Sequence, residues 1–205
     1  MSLVSRDLQT RLASQGVLTA SRVACSDVQA AALMNPGEKL DHLVAEFSEQ
    51  VDLQVDVVES GHPFSSAKND LAIASLRAAR RVANETPEPL LVSAELNAVA
   101  ESDYSDVLAQ VAAEGADFVI QSHLQSKDAA LAFLKAASEA GVPAVLSLDQ
   151  AVLVRNGQSA VELAQTLYRA GAVAVGVAGY IGPQNTDVLE GHYWITDKRG
   201  SLYIH

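Results

Sequence analysis

The sequence predicts an α/β fold built from parallel βα repeats, and three observations carry that reading. The stretch from Ala172 to Pro183, Ala-Val-Ala-Val-Gly-Val-Ala-Gly-Tyr-Ile-Gly-Pro, is an apolar run that opens into a glycine-rich loop. An apolar run without polar alternation suits a parallel strand covered on both faces. Gly115, Gly141 and Gly171 each close a helical pattern and each precedes a strand pattern, the place of a C′ glycine in a repeating unit. Finally, 49% of the 205 residues are hydrophobic, enough for one sizeable core.

Taken in order, the chain begins with a short helix over Arg6 to Ala13, where Leu8 and Leu12 are at helical spacing, followed by a loop. A second helix covers Ser26 to Met34. A third starts with Asn35 as N-cap, Pro36 at N1 and Glu38 at N3, and Leu40, Leu43, Val44 and Phe47 form its apolar stripe. His42 falls on the polar side of that helix. Val51 to Val58 reads as the first strand, with the loop Glu59-Ser60-Gly61-His62-Pro63 behind it.

Ser65 or Ser66 is then the expected cap of a long helix to about Asn84, with Leu71, Ala74, Ala78 and Val82 on one face. Leu90 to Ala94 is the next strand, Glu95 to Glu101 a loop, and Val107, Leu108, Val111 and Ala112 mark a helix ending at Gly115. Strands over Phe118 to Gln121, Pro143 to Leu148 and Ala172 to Val177 follow. Between them lie helices capped by Ser126 and by Ser159 with Glu162. Five strands alternating with helices imply a parallel sheet with right-handed crossovers. That architecture is TIM-barrel-like, and a full (β/α)8 barrel takes about 250 residues, so an incomplete or truncated barrel is expected.

The whole chain, 1–205, is read as one such domain: N-terminal helices over 1–50, βα repeats over 51–183 and a tail over 184–205. In the tail, Tyr193 to Thr196 and Ser201 to Ile204 flank Asp197-Lys198-Arg199-Gly200, the pattern of a hairpin. The hairpin could cover the edge of an unclosed sheet, and an unclosed edge predicts a homo-oligomer.

A formal net charge of −11 disfavours nucleic acid and anionic membrane as partners. No apolar run approaches the roughly 20 residues of a membrane span. A single cysteine, Cys25, excludes an internal disulfide and fits a reducing, cytoplasmic setting.

Five segments in this order resemble the homocysteine S-methyltransferase family. Arg6-Asp7-Leu8-Gln9 is similar to its Thr-Glu-Leu-Gln, and Ala31-Ala32-Leu33-Met34-Asn35-Pro36 to its Ala-Leu-Leu-Glu-Asn-Pro. Asp56-Val57-Val58 resembles the strand leading to Thr-Asn-Thr, and Gly115 to Ile120 the strand leading to Glu-Thr. Ala174 to Pro183 resembles Ala-Ile-Gly-Ile-Asn-Cys-Ser-Val-Gly-Pro. The resemblance implies a (β/α)8 barrel that transfers a methyl group to the sulfur of homocysteine, with zinc held by three protein thiolates. Zinc would keep the substrate as a nucleophilic thiolate.

The residues that resemblance points to are altered. Gly179 stands where the first thiolate is implied, and the Gly-Gly-Cys-Cys stretch carrying the other two has no counterpart before His205. Ser60-Gly61-His62 replaces Thr-Asn-Thr, Ser122 replaces the strand-end Glu, and the opening Asp-Gly-Gly is missing. The expectation is therefore a site-degenerate member with methyl transfer lost or altered, no cofactor, and zinc only if the family activity survives. A small thiol or amino acid is the expected ligand, with Ser60, His62, Glu95, Ser122, His123, Gly179 and Tyr180 as candidate contacts.

Two other readings stay open. A non-catalytic ligand-binding or interaction protein uses the same scaffold. A small metal-dependent hydrolase would draw on the strand-end residues Glu59, His62, Glu95, His123 and Asp149, with His62, His123 and Asp149 as metal ligands. Serine nucleophiles at Ser60, Ser122 or Ser147 lack a Gly-x-Ser-x-Gly elbow.

Overall fold

The computed structural model describes residues 8, 10–11, 18–22, 25–51, 55–87, 89–97, 99–149, 160–178, 193–196 and 202–204. Within them the elements run β1 (Leu18–Arg22), α1 (Cys25–Ala31), α2 (Pro36–Val51), β2 (Val57–Glu59), α3 (Asp70–Glu85), β3 (Leu91–Leu96) and α4 (Tyr104–Ala113). They continue as β4 (Phe118–Leu124), α5 (Lys127–Ala140), β5 (Ala144–Asp149), α6 (Ala160–Arg169), β6 (Ala172–Ala178), β7 (Tyr193–Thr196) and β8 (Leu202–Ile204).

The strands close into a barrel in chain order. Strands β1 to β7 pair in parallel, while β8 is antiparallel to both β7 and β1. The expected parallel βα architecture is present, but the barrel is closed where an incomplete one was expected from the chain length. Its last turn is made by the tail hairpin, with Trp194 opposite Ile204 on one side and Leu18 opposite Ile204 on the other. Each strand therefore has two neighbours, and among the described residues there is no unpaired sheet edge of the kind from which self-association was expected.

Four expectations about elements are corrected. Leu18–Arg22 is a strand inside the segment read as helices and loop. Val51 ends α2, and the strand in the ladder is Val57–Glu59, with 52–54 outside the described residues. All three residues of that strand are buried, as suits a strand covered on both faces, and the polar Asp56 lies just before it. The cap of α3 is Asn69, whose Oδ1 accepts from the Ala72 N–H at 3.1 Å, in place of Ser65 or Ser66. The helix starts late because Phe64, fully buried, is tied to β3: Phe64 N–H donates to the Glu95 carbonyl at 2.8 Å and Asn97 N–H to the Phe64 carbonyl at 3.0 Å. Glu95 and Leu96 accordingly belong to a strand and not to a loop.

Other local readings hold. Asn35 Oδ1 accepts from Glu38 N–H at 3.0 Å and Ser126 Oγ from Ala129 N–H at 3.0 Å. Gly115, Gly141 and Gly171 have φ of 86°, 71° and 107°, the left-handed region that glycine enters without strain. Ser159, the other expected cap, and Gly200 of the hairpin turn lie outside the described residues.

The sheet separates two apolar clusters. The outer one packs Val58, Val92, Ala94, Leu96, Val119, Leu146 and Leu148 against the helices. The inner one joins Leu18, Val57, Leu91, Phe118, Ile120, Val145 and Val173 with Leu8, so the N-terminal segment contributes a side chain to the barrel interior. Among the described residues no helix is long and apolar enough to cross a membrane.

Candidate functional site

Side chains alternate between the two faces of a strand, so the two clusters fix which way each polar residue points. In β3, Leu91 belongs to the inner cluster and Val92, Ala94 and Leu96 to the outer one. Ser93 and Glu95 therefore face inward. The same alternation turns Glu59 of β2 and Ser147 of β5 into the barrel, beyond Val57 and Val145. In β4, Ser122 follows Phe118 and Ile120 on the inner face. The interior is thus apolar at the amino ends of the strands and becomes carboxylate- and hydroxyl-lined toward their carboxyl ends, where sites form in this kind of barrel.

Two of the inward groups meet directly. Ser122 Oγ donates to Glu95 Oε1 at 2.6 Å, a short bond as expected for a charged acceptor. Ser93 is fully buried and its hydroxyl has no partner among the described residues. Glu59 and Ser147 are buried as well, and Glu59 is the register partner of both Ser93 and Arg22.

The β2–α3 loop is fixed by its own backbone. Ser60 N–H donates to the Ser93 carbonyl at 3.0 Å, and the Ser60 carbonyl accepts from His62 N–H at 2.8 Å and from the Ser75 hydroxyl. Ser60 Oγ turns toward the His62 carbonyl at 3.5 Å. Ser60 thus organises the turn, aided by Gly61 at φ 71°, and does not present its hydroxyl as a nucleophile. His62 is half-buried, and burial lowers its pKa from the usual 6.5.

His123 is placed differently. It has φ 56°, and the β4–β5 register shifts between Gln121 and Leu124. It is the extra residue of a β-bulge. The bulge resets the alternation so that Leu124 packs outward beside Leu148 while His123 is exposed. Asp149 ends β5 opposite Ala178, and its side chain lies outside the described residues, as do Gly179 and Tyr180 altogether. Of the sequence candidates, the structure brings Glu95 and Ser122 together and sets the Ser60–His62 loop beside β3. Among the described residues no three His, Cys, Asp or Glu side chains group as a metal site would need.

Ser93 was missed in the sequence, although counting by two from Leu91 would have placed it with Glu95. The implied zinc does not fit these residues. The inward donors are carboxylate and hydroxyl oxygens, and the sole cysteine, Cys25, opens α1. These 205 residues hold one cysteine where the resemblance implies three thiolates.

No protein-family model and no curated protein sequence matches the chain. Solved structures do. The homocysteine methyltransferase MmuM from Escherichia coli aligns with a TM-score of 0.61 at 15% identity, over 88% of this chain and 78% of that one. A phosphonopyruvate hydrolase gives 0.58 at 16%, over 88% of this chain and 64% of its own. A 2,3-dimethylmalate lyase of the PEP mutase/isocitrate lyase superfamily gives 0.53 at 14%, over 86% and 64%. This chain thus spans less than two-thirds of the last two. At these identities the likeness shows a shared fold, the TIM-type βα barrel.

Proposed function

We propose that this is a homocysteine S-methyltransferase-like barrel that keeps a small-ligand site at the carboxyl ends of its strands and does not perform thiolate-zinc methyl transfer. The observation that carries the reading is the change of the barrel interior from apolar to polar at that end, with the Ser122–Glu95 pair and the unpartnered Ser93 hydroxyl inside it. Polar groups in a barrel interior cost stability unless something pairs with them, so a polar ligand gives them a purpose. The order of sequence motifs supports an amino-acid-sized ligand, and Gly179, standing where the first thiolate is implied, supports the loss of the zinc chemistry. In this reading Glu95 and Ser122 orient the ligand by hydrogen bonding, and the Ser60–His62 loop forms the adjoining wall.

Calorimetric titration of homocysteine, with and without zinc, tests this. The expected result is an isotherm that zinc does not alter, and no methylated product from any methyl donor supplied. Binding near one per chain that appears only with zinc and vanishes with a chelator would overturn it.

A further inference from the structure

A groove of about 370 Å³ lies on the outer face at the amino end of the barrel, lined by Arg77, Arg80, Arg81, Asn84 and Glu85 of α3 and by Glu114 at the end of α4. That volume falls within the range of small-molecule sites, about 300–1,000 Å³. Arg77, Arg80, Arg81 and Asn84 follow one another at i, i+3, i+4 and i+7, so they share one helix face. In a chain of net charge −11 this is a local concentration of cations.

Two of the three guanidinium groups are held in place. Arg77 makes a bidentate pair with Glu114 through Nε and Nη2. Arg80 donates to Asp117 through Nη2, and its stem runs over Gly115, where a Cβ would stand 3.5 Å from Arg80 Cγ. Glu114 is fully engaged, because Gln110 also donates to it at 2.7 Å. Arg81 has only Glu85, at 3.1 Å.

Glu85, Glu114 and Asp117 balance the three cations, so the case rests on unused donors and not on net charge. A guanidinium offers five N–H donors, and among the described residues these three together use four of theirs. Arg80 Nε is buried. Arg77 Nη1, Arg80 Nη1 and both Nη atoms of Arg81 are left for a ligand. Guanidinium forks match carboxylate and phosphate oxygens, and the three terminal oxygens of a phosphate dianion suit three forks where a carboxylate has only two. The pair that must yield is the weakest one. The Arg81 and Glu85 side chains are 50% and 62% exposed, and an exposed i, i+4 pair contributes little.

We propose that this groove binds a phosphate dianion, free or as the monoester of a small molecule, which takes Arg81 from Glu85 and bonds to Arg77, Arg80 and Arg81. The groove is at the opposite end of the barrel from the strand carboxyl ends and does not depend on the ligand reading above.

The test is NMR of the full chain at mildly alkaline pH with inorganic phosphate, glycerol phosphate and acetate at matched ionic strength. It follows the arginine Nε–H groups and the amides of residues 77 to 85 and 114 to 117. Both phosphates are expected to give saturable shifts there, with acetate at least about tenfold weaker. Arg81→Ala should weaken phosphate binding about tenfold or more, whereas Glu85→Gln removes the competing carboxylate and should strengthen it about threefold. Both substitutions alter exposed side chains, and melting temperature checks that each variant is folded. Tighter binding of glycerol phosphate marks the ligand as an ester, and tighter binding of inorganic phosphate marks it as the free ion. Acetate binding as tight as phosphate overturns the phosphate assignment. Binding unchanged in Arg81→Ala, or not strengthened in Glu85→Gln, overturns the exchange at Arg81. No saturable shift with either phosphate overturns the site.

Discussion

At the amino ends of the strands the barrel interior is Leu18, Val57, Leu91, Phe118 and Val145, and polar groups around that end bind strands and helices together, although the buried Arg80 Nε has no partner among the described residues. Asp117 shows how closely. Its N–H donates to the Val92 carbonyl at 2.8 Å, while its Oδ2 accepts from Val92 N–H at 2.7 Å and from the Arg80 guanidinium. Beside it, Arg77 forms a bidentate pair with Glu114 at 2.6 and 2.7 Å. At the carboxyl ends the same strands present Glu59, Ser93, Glu95, Ser122 and Ser147, with one hydroxyl unmade and His123 in the left-handed region. At one end the polar groups hold strands and helices together; at the other they line the barrel interior. This is the division expected of a βα barrel, and it persists here without the implied thiolates.

That contrast can be broken or sharpened by substitution. The largest effect is expected from Phe118→Ala, which empties a fully buried ring from the apolar end and should cost about 3–5 kcal/mol, read by denaturant unfolding. Asp117→Ala should cost about 1–3 kcal/mol, because it leaves the Val92 N–H unmade inside the fold. Neither should change ligand binding by the folded protein. Arg77→Ala removes a pair whose arginine side chain is 61% exposed, and it should cost under about 1 kcal/mol.

The smallest effect concerns His62 and depends on pH. Burial lowers its folded pKa below 6.5, so on acidification the unfolded chain takes up this proton first. Stability from this group is complete above the unfolded value and falls as pH drops below it. His62→Gln should flatten that part of the profile of melting temperature against pH. An unchanged acid slope would remove His62 from the account.

Much of this architecture was legible in the chain. The three terminating glycines, the caps at Asn35 and Ser126 and the tail hairpin are local signals, and local physics decided them. The rest depended on partners far along the chain. Leu18–Arg22 is too short and mixed to announce a strand, and becomes one between β2 and β8. The alternation over 51–58 points to a strand from its first residue, yet Val51 ends a helix and the strand is Val57–Glu59. At the site, Glu95 and Ser122 could be picked out as strand-end polar residues. Their bond could not, because the β-bulge at His123 is set by pairing with β5. Closure by an antiparallel strand was likewise invisible, since no local pattern says which strand β8 will meet.

The most direct test of the division between the two ends is thermal unfolding of Ser93→Ala alongside Asp117→Ala. The account predicts that Asp117→Ala melts well below the parent and Ser93→Ala at or above it, because only the first removes a bond that holds the fold. A Ser93→Ala protein destabilised as much as Asp117→Ala would show that the polar end also serves stability, and would contradict the account.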